Sequence, residues 1–320
     1  MNTLSKMKST AVSFGKNIKV MWAYMCDAFD FCKNAMYIQD LKGSHDFRIM
    51  LLTHSLEKGM CMSNSRAYGE AKARQLYSIL TEYHDRKKFE YQLGCSILAA
   101  YIQYFIDHGF QLTEMHQKIK AFLEEEKDSI IYETGARFYA GPEPVDKDID
   151  KVLLNRRSVR RYRKENIQDA DLSYAIRFFS EAPSACNRQM CKIFRVVNAE
   201  LKGLMDNVIL GNNGFDKDTV NYFIITYDIS AFDYSGERNQ GPFNAGLAAM
   251  QFVNGLHLRG IGSCFMEWSN KRKEDIIVRK RLNLRESERI AVVIGAGYYL
   301  PQSRVAASCR RPLTEIYQEL

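Results

Sequence analysis

Two short segments of this sequence carry side chains suited to binding an anion and a planar ring. The first runs from Arg156 to Arg160 and combines guanidinium groups, which grip oxygen atoms in pairs, with the hydroxyl of Ser158. These groups predict a phosphate site. The second runs from Pro183 to Gln189, where small residues let a ring approach the backbone and amide side chains can bond its carbonyls and nitrogens. Together the segments predict a ligand that has both a phosphate and a heteroaromatic ring.

The two segments and their spacing resemble the nitroreductase family of flavoenzymes. The family pattern is R-[RH]-S-x-R and then, after about two dozen residues, A-P-S-x-x-N-x-Q. Weaker similarities lie at Ala245 to Trp268 and at Arg310-Arg311-Pro312, so the resemblance extends over about the last half of the chain. One departure is that Met190-Cys191 follow Gln189, where the family often has Pro-Trp.

The resemblance implies an FMN-dependent oxidoreductase with an α+β fold, in which helices flank a mixed β-sheet. It implies that NAD(P)H is a transient hydride donor and that ping-pong transfer follows to an electron-poor small molecule. Because no G-x-G-x-x-G motif follows a strand, NAD(P)H would bind over the flavin and not in a Rossmann pocket. The resemblance also implies a homodimer, with each flavin held between subunits.

The resemblance assigns residues to the phosphate end of FMN at both ends of the family region. These are Arg156, Arg157, Ser158, Arg160, Arg310 and Arg311. If residues 156 to 160 are helical, Arg156 and Arg160 share one face and converge on one anion. A solvated basic turn is the alternative interpretation.

The residues assigned to the flavin ring form three groups. Pro183, Ser184, Asn187 and Gln189 pack on the ring from the neighbouring subunit, and Asn213 approaches its pyrimidine side. The backbone of Met266, Glu267 and Trp268 lies near the reactive N5. Asn213 also fits a plain turn, and Trp268 either narrows the substrate cavity or closes the core. No catalytic acid or base and no metal site is predicted.

The pattern of elements predicts two domains joined by a linker. Residues 1–140 read as an all-α domain, because apolar residues recur at helical spacing, for example at Leu76, Ile79, Leu80 and Tyr83. Prolines 142 and 144 mark a linker at 141–150. Strand and helix patterns alternate in residues 151–320, which predicts an α+β domain that binds FMN.

Composition limits the partners and the compartment. The net charge of +7 arises in residues 151–320, yet no nucleic-acid-binding motif accompanies it, and the run from Lys271 to Arg281 is interpreted as a solvated helix face. Eight scattered cysteines without a paired ligand spacing indicate reduced thiols and a cytoplasmic location. The apolar run Val20–Cys26 is too short to span a membrane. The amino-terminal helix could dock on protein, the favoured interpretation, or lie on a membrane surface.

The segment from His54 to Gly59, with Glu57-Lys58-Gly59, resembles a motif in helical extensions of nitroreductase-like proteins from bacterial surface-polysaccharide clusters. An amphipathic helix that ends at Gly59 explains it as well. Two alternative functions therefore stand beside the oxidoreductase: a flavin-binding sensor or assembly protein with little turnover, and a membrane-peripheral factor in surface-polysaccharide biosynthesis.

Overall fold

The computed structural model describes residues 3–36, 45–62, 65–136, 148–210, 212, 215–268, 272–300, 305 and 312–320. Five α-helices come first, which confirms the predicted helical amino-terminal part. They are α1 (Thr3–Asn34), α2 (His45–Met60), α3 (Glu70–Thr81), α4 (Phe89–Asp107) and α5 (Glu114–Glu125). The predicted linker lies largely outside the described residues, and α6 begins within its range at Ile149.

The helical part has its own hydrophobic core. Leu76, Ile79 and Leu80 of α3 are buried against α2 and α4, as their spacing predicts. Gly59 does not end α2 by a left-handed turn. A Cβ atom there would lie 1.9 Å from the ring of Tyr68, whose hydroxyl donates to the Leu56 carbonyl at 2.5 Å. The glycine in this motif is therefore required by the packing of Tyr68.

The carboxy-terminal part is an α+β domain. Its helices are α6 (Ile149–Asn155), α7 (Asp169–Ser180), α8 (Ala199–Val208), α9 (Gln240–Leu258), α10 (Arg272–Arg281) and α11 (Leu313–Ile316). Its strands are β1 (Cys191–Arg195), β2 (Asn221–Asp228), β3 (Ile261–Met266) and β4 (Glu288–Tyr298), in the sheet order β1-β2-β4-β3. All three strand pairings are antiparallel. We predicted a mixed sheet, and its parallel component is the bridge between Ser158 and Ser263 at the edge of β3.

Helix α9 covers one face of the sheet. Ala245, Ala249 and Phe252 are buried, and a Cβ at Gly255 would lie 2.7 Å from the Cα of Ala175, so α7 and α9 are in close contact as their small residues predict. The outer side of α9 exposes Phe243 and Met250.

The first two helices pack directly on the sheet domain. The Asp30 carboxylate of α1 pairs with Arg272 at 3.1 Å and Arg289 at 2.8 Å, and Arg48 of α2 pairs with Asp233 at 2.9 Å. Arg272 belongs to the basic run that we interpreted as solvated, so the first residue of α10 instead serves this contact. The amino-terminal part is thus tied to the sheet domain by charge pairs.

Within the described part of the chain, no helix is long and apolar enough to cross a membrane. The same residues contain no cluster of metal-binding side chains, and their seven cysteines are free thiols.

Candidate functional site

The arginine segment runs along the outer edge of β3. Helix α6 ends at Asn155, and the Val159 amide donates to the Ser263 carbonyl at 2.9 Å, so the chain beyond is extended. The helical conformation considered for residues 156 to 160 is therefore wrong. Arg156 and Arg160 do not share a helix face, and any convergence on one anion depends on their long side chains.

The guanidinium groups of this segment differ in what they contact. Arg157 donates to the carbonyls of Leu154 at 2.8 Å and Arg156 at 2.9 Å, where it caps the end of α6. Arg156 is half-buried and Arg160 is exposed. Among the described residues, no carboxylate pairs with any of these three arginines. Arg156 and Arg160 can therefore accept an anionic ligand without breaking an ion pair.

Tyr162 anchors the segment to the sheet. Its buried hydroxyl lies 2.7 Å from the Val159 carbonyl and 2.9 Å from the Gly295 carbonyl of β4. Burial raises the pKa of this hydroxyl, so it stays protonated and donates. Gly297 makes room for the ring, because a Cβ there would lie 2.6 Å from Tyr162. The backbone of Ser158 is held at a fixed position on the β3 edge.

The loop from Pro183 to Gln189 has a strained backbone. Cys186, Asn187 and Gln189 have φ angles of 51°, 50° and 49°, in the left-handed region that favours glycine. Such residues persist only where the surrounding structure enforces them, and they cluster at functional sites. The side chains of Asn187 and Gln189 are exposed as a result.

The polar contacts of three side chains, those of Ser184, Asn244 and Arg188, enforce this conformation. The Gln189 amide donates to Ser184 Oγ at 2.9 Å, and the Ala185 amide donates to Asn244 Oδ1 of α9 at 2.7 Å. Arg188 is fully buried, donates to the Ala185 carbonyl at 2.9 Å and forms a two-point ion pair with Glu237. Sequence reasoning missed Arg188, Asn244 and Glu237, because the partner residues lie about fifty positions away in sequence.

The charge of Glu237 is stabilised despite burial. Burial opposes ionisation of its carboxyl group, but bonds from Arg188 and from the Asp233 amide outweigh that effect and hold the pKa below its ordinary value of 4.5. The pair is therefore fully ionised at neutral pH. It fixes the loop to the segment from Ile229 to Asn239, which contains two short 3₁₀ helices.

A cavity of about 140 Å³ lies beneath the loop. It is bounded by the loop, the end of α7 and α9, and its lining includes Ser184, Gln189, Cys191, Asn244 and Ala248. Complete small-molecule sites occupy about 300–1,000 Å³, so this cavity is one wall of a site and not a whole one. Burial raises the pKa of the Cys191 thiol to about 12, so this cysteine is not a nucleophile at neutral pH.

The segment from Met266 to Trp268, at the end of β3, carries one charged side chain, that of Glu267. Met266 is buried, and a Cβ at Gly295 would lie 2.7 Å from its methyl group. The Trp268 indole is half-buried and donates to Asp275 at 2.9 Å, so it closes the core beside α10. Glu267 is exposed. Of the two roles considered for Trp268, the structure supports core closure.

Three of the predicted site residues, Asn213, Arg310 and Arg311, lie outside the described residues. Beside Asn213, the Asn212 amide donates to the Asp206 carbonyl at 2.8 Å, and Lys217 Nζ lies 3.2 Å from the same oxygen. This turn is thus fastened to the end of α8.

The arginine segment and the cavity loop lie at opposite edges of the sheet. The loop leads into β1, the arginine segment runs beside β3, and two strands separate these edges. Because the arginine segment lies one spacing beyond β3, four strand spacings, or about 19 Å, separate it from β1. The two segments also lie at opposite ends of the strands. The loop precedes Cys191, which pairs with Tyr227 near the end of β2. Ser263, beside the arginine segment, pairs with Ala296, which pairs with Asn221 at the start of β2. One chain alone does not bring the two segments together.

Comparisons with known proteins agree with this domain. The model of the Nitroreductase family matches residues 153–217 and 210–298. A putative NADH dehydrogenase/NAD(P)H nitroreductase from Parabacteroides distasonis is 20% identical, with a TM-score of 0.47 over 54% of this chain and 98% of that one. A putative nitroreductase in complex with FMN from Desulfovibrio desulfuricans is 19% identical, with a TM-score of 0.47 over 55% and 98%. A nitroreductase family protein from Streptococcus pneumoniae is 22% identical, with a TM-score of 0.44 over 54% and 98%. No curated protein matches the chain.

Proposed function

We propose that the protein is an FMN-dependent oxidoreductase that uses NAD(P)H to reduce an electron-poor small molecule, because the model of the Nitroreductase family matches residues 153–217 and 210–298. The observation that carries the proposal is that the matched region includes the arginine segment, the cavity loop and the residues after β3. The same three regions supply the unpaired cations and the exposed amides described above.

The residues present fit an FMN molecule at both of its ends. Arg156 and Arg160 are without carboxylate partners among the described residues and, with Ser158, suit the phosphate. Ser184, Asn187 and Gln189 present small or amide groups on a loop that is already strained into place. We assign Arg157, Pro183, Asn213, Arg310, Arg311 and the backbone of Met266, Glu267 and Trp268 to the same site on the family pattern.

Bound FMN would supply the two-electron chemistry between the nicotinamide donor and the acceptor. The chain itself contributes binding and positioning. The arginine segment holds a negative charge at the β3 edge, the cavity loop forms an apolar wall with amides at its rim, and the thiol of Cys191 stays neutral. No side chain near the cavity has the pKa shift expected of a catalytic acid or base near neutral pH, so none is assigned that role.

We further propose that the working unit is a homodimer. The two halves of the proposed site lie at opposite edges of one sheet, and the cavity under the loop is too small to be a complete site. The outer side of α9, with Phe243 and Met250 exposed, supports a subunit contact. A second copy would bring its loop to the arginine segment of the first.

The test is the visible spectrum of the purified protein, followed by identification of any ligand released on heating. We expect the absorption of an oxidised flavin, release of FMN, and bleaching with NADH or NADPH. An Arg160→Gln variant should bind FMN less tightly, whereas Arg74→Gln, on α3 in the helical part, should not. A protein that neither contains nor binds FMN would refute the proposal. Bound flavin that neither NADH nor NADPH reduces would favour a binding protein with little turnover.

A further inference from the structure

The described side chains of α1 that contact the rest of the chain lie near its carboxyl end. Near the carboxyl end, Asp30 is buried between Arg272 and Arg289, and the ring of Phe31 stacks on Phe232 with centroids 6.0 Å apart. Before this anchor, large apolar side chains are exposed to solvent. Ile18, Met21, Trp22, Met25 and Phe29 are 52%, 64%, 63%, 59% and 64% exposed. These five side chains therefore lie largely in solvent in a single chain.

The exposed side chains form one stripe. At 3.6 residues per turn, Ile18, Trp22, Met25 and Phe29 fall on the same side of α1. The anchoring residues Asp30 and Phe31 lie away from that side of the helix. The anchor thus fixes the rotation of the helix so that its apolar stripe points away from its own chain.

A regular heptad pattern, which includes Ile18 and Met25 of the stripe, defines a seam along α1. Positions spaced alternately by three and four residues are all occupied by apolar or small residues: Leu4, Met7, Ala11, Phe14, Ile18, Met21, Met25, Ala28 and Cys32. A pattern sustained over more than three heptads is typical of a coiled coil. Isolated helices depend on packing of their apolar face for stability, so α1 requires a partner along this seam.

We propose that α1 pairs with α1 of a second copy of this chain in a two-stranded coiled coil. A helix that rests on an anionic membrane needs cations throughout its polar face. Here Lys19 is followed by Asp27 and Asp30, and Asp30 is already engaged with the protein. The heptad spacing instead matches a partner helix of the same kind. This contact is independent of whether the sheet domain binds FMN.

The test places a photo-crosslinker on the seam of the full-length protein. With Met21 replaced by p-benzoylphenylalanine, illumination should give a covalent dimer on a denaturing gel, with the crosslink mapped by mass spectrometry to residues 3–34 of the other chain. The same replacement at Ala23, which is exposed on the other side of α1, should give little dimer. Monomer alone, or crosslinks mapped outside α1, would overturn the proposal.

A pair of charge variants tests the seam itself. Ile18→Glu with Met25→Glu places two acids at seam positions and should lower the crosslink yield about tenfold. Lys19→Gln with Ala23→Glu makes the same change in charge off the seam and should leave the yield unchanged. Thermal unfolding of each variant checks that the rest of the chain is folded. An equal effect of both pairs would contradict a specific helix contact.

Two further measurements separate this proposal from its competitors. Vesicles of phosphatidylcholine and phosphatidylserine are added before illumination, and lipid adducts in place of protein dimer would show that a membrane covers the stripe. The flavin content is measured on the same samples. An α1 crosslink without FMN would refute the proposed function only, and bound FMN without the crosslink would refute the coiled coil only.

Discussion

At the scale of single residues, the ion pair between Arg188 and Glu237 holds the cavity loop in its strained conformation. The guanidinium is completely buried and contacts the carboxylate, the Ala185 carbonyl and the Ala231 carbonyl. Three left-handed residues flank it. Each left-handed residue costs about 1–3 kcal/mol and persists only where its surroundings enforce it. The contacts of Arg188 offset part of this cost.

Replacing Arg188 with Met should lower the free energy of unfolding by about 3–5 kcal/mol, because it leaves the Glu237 carboxylate buried without its partner. Urea unfolding measures the change. Arg74→Met is the control, since Arg74 pairs with Glu70 on an exposed helix face and should change stability by less than about 1 kcal/mol. Equal losses in the two variants would show that the buried pair has no special role.

The ion pair between Arg188 and Glu237 should make the free energy of unfolding depend on pH. The pKa of Glu237 is below 4.5 in the folded chain, so its contribution is present above that ordinary value and is lost as the pH falls through the folded pKa. Urea unfolding from about pH 6 to about pH 3 should show a steep loss below about pH 4.5. A variant with Arg188→Met and Glu237→Gln should show a shallower slope, and an unchanged slope would contradict the assignment.

At the scale of elements, the edge of β3 positions the arginine segment. Backbone pairing at Val159 and Arg163, with the Tyr162 hydroxyl between them, attaches the segment to β3 and β4. The side chains of Arg156 and Arg160 remain free of carboxylate partners among the described residues. The scaffold is therefore fixed while the cations stay accessible to a ligand.

Tyr162→Phe should weaken FMN binding several-fold and cost about 1–3 kcal/mol of stability, because two buried carbonyl oxygens lose their donor. Fluorescence titration with FMN and urea unfolding measure the two effects. Tyr101→Phe is the matched control, since its buried hydroxyl donates to Tyr68 within the helical part. The control should lose stability without losing affinity, and a parallel loss of affinity would refute a local role for Tyr162.

At the scale of the whole molecule, the homodimer that we propose would complete the site. The cavity loop and the arginine segment lie about 19 Å apart across the sheet and at opposite ends of its strands. If each flavin lies between subunits, one chain supplies the arginine segment and the other supplies the loop. This arrangement predicts complementation between two defective chains.

Two double variants test this. One carries Arg156→Gln and Arg160→Gln, and the other carries Ser184→Trp and Asn187→Ala. A homodimer of either variant should bind little FMN. Co-expression of the two chains with different tags should give heterodimers that hold about half the flavin of the unaltered dimer, since one of two sites is then intact. The flavin absorbance of the doubly purified heterodimer measures this. No recovery would indicate that each site lies within one chain.

The amino-acid sequence by itself determined the helical amino-terminal part, the α+β carboxy-terminal part and the two segments that we propose bind the ligand. These depend on local periodicity and on side chains close together in sequence, as in α3 and in Arg156 to Arg160. Only the tertiary structure decided that Arg157 caps α6, that Arg188 is buried against Glu237, and that Gly59 accommodates Tyr68. The extended path of the arginine segment and its distance from the loop were also decided there. Each depends on contacts between residues that the sequence separates, and local patterns carry no information on such pairings.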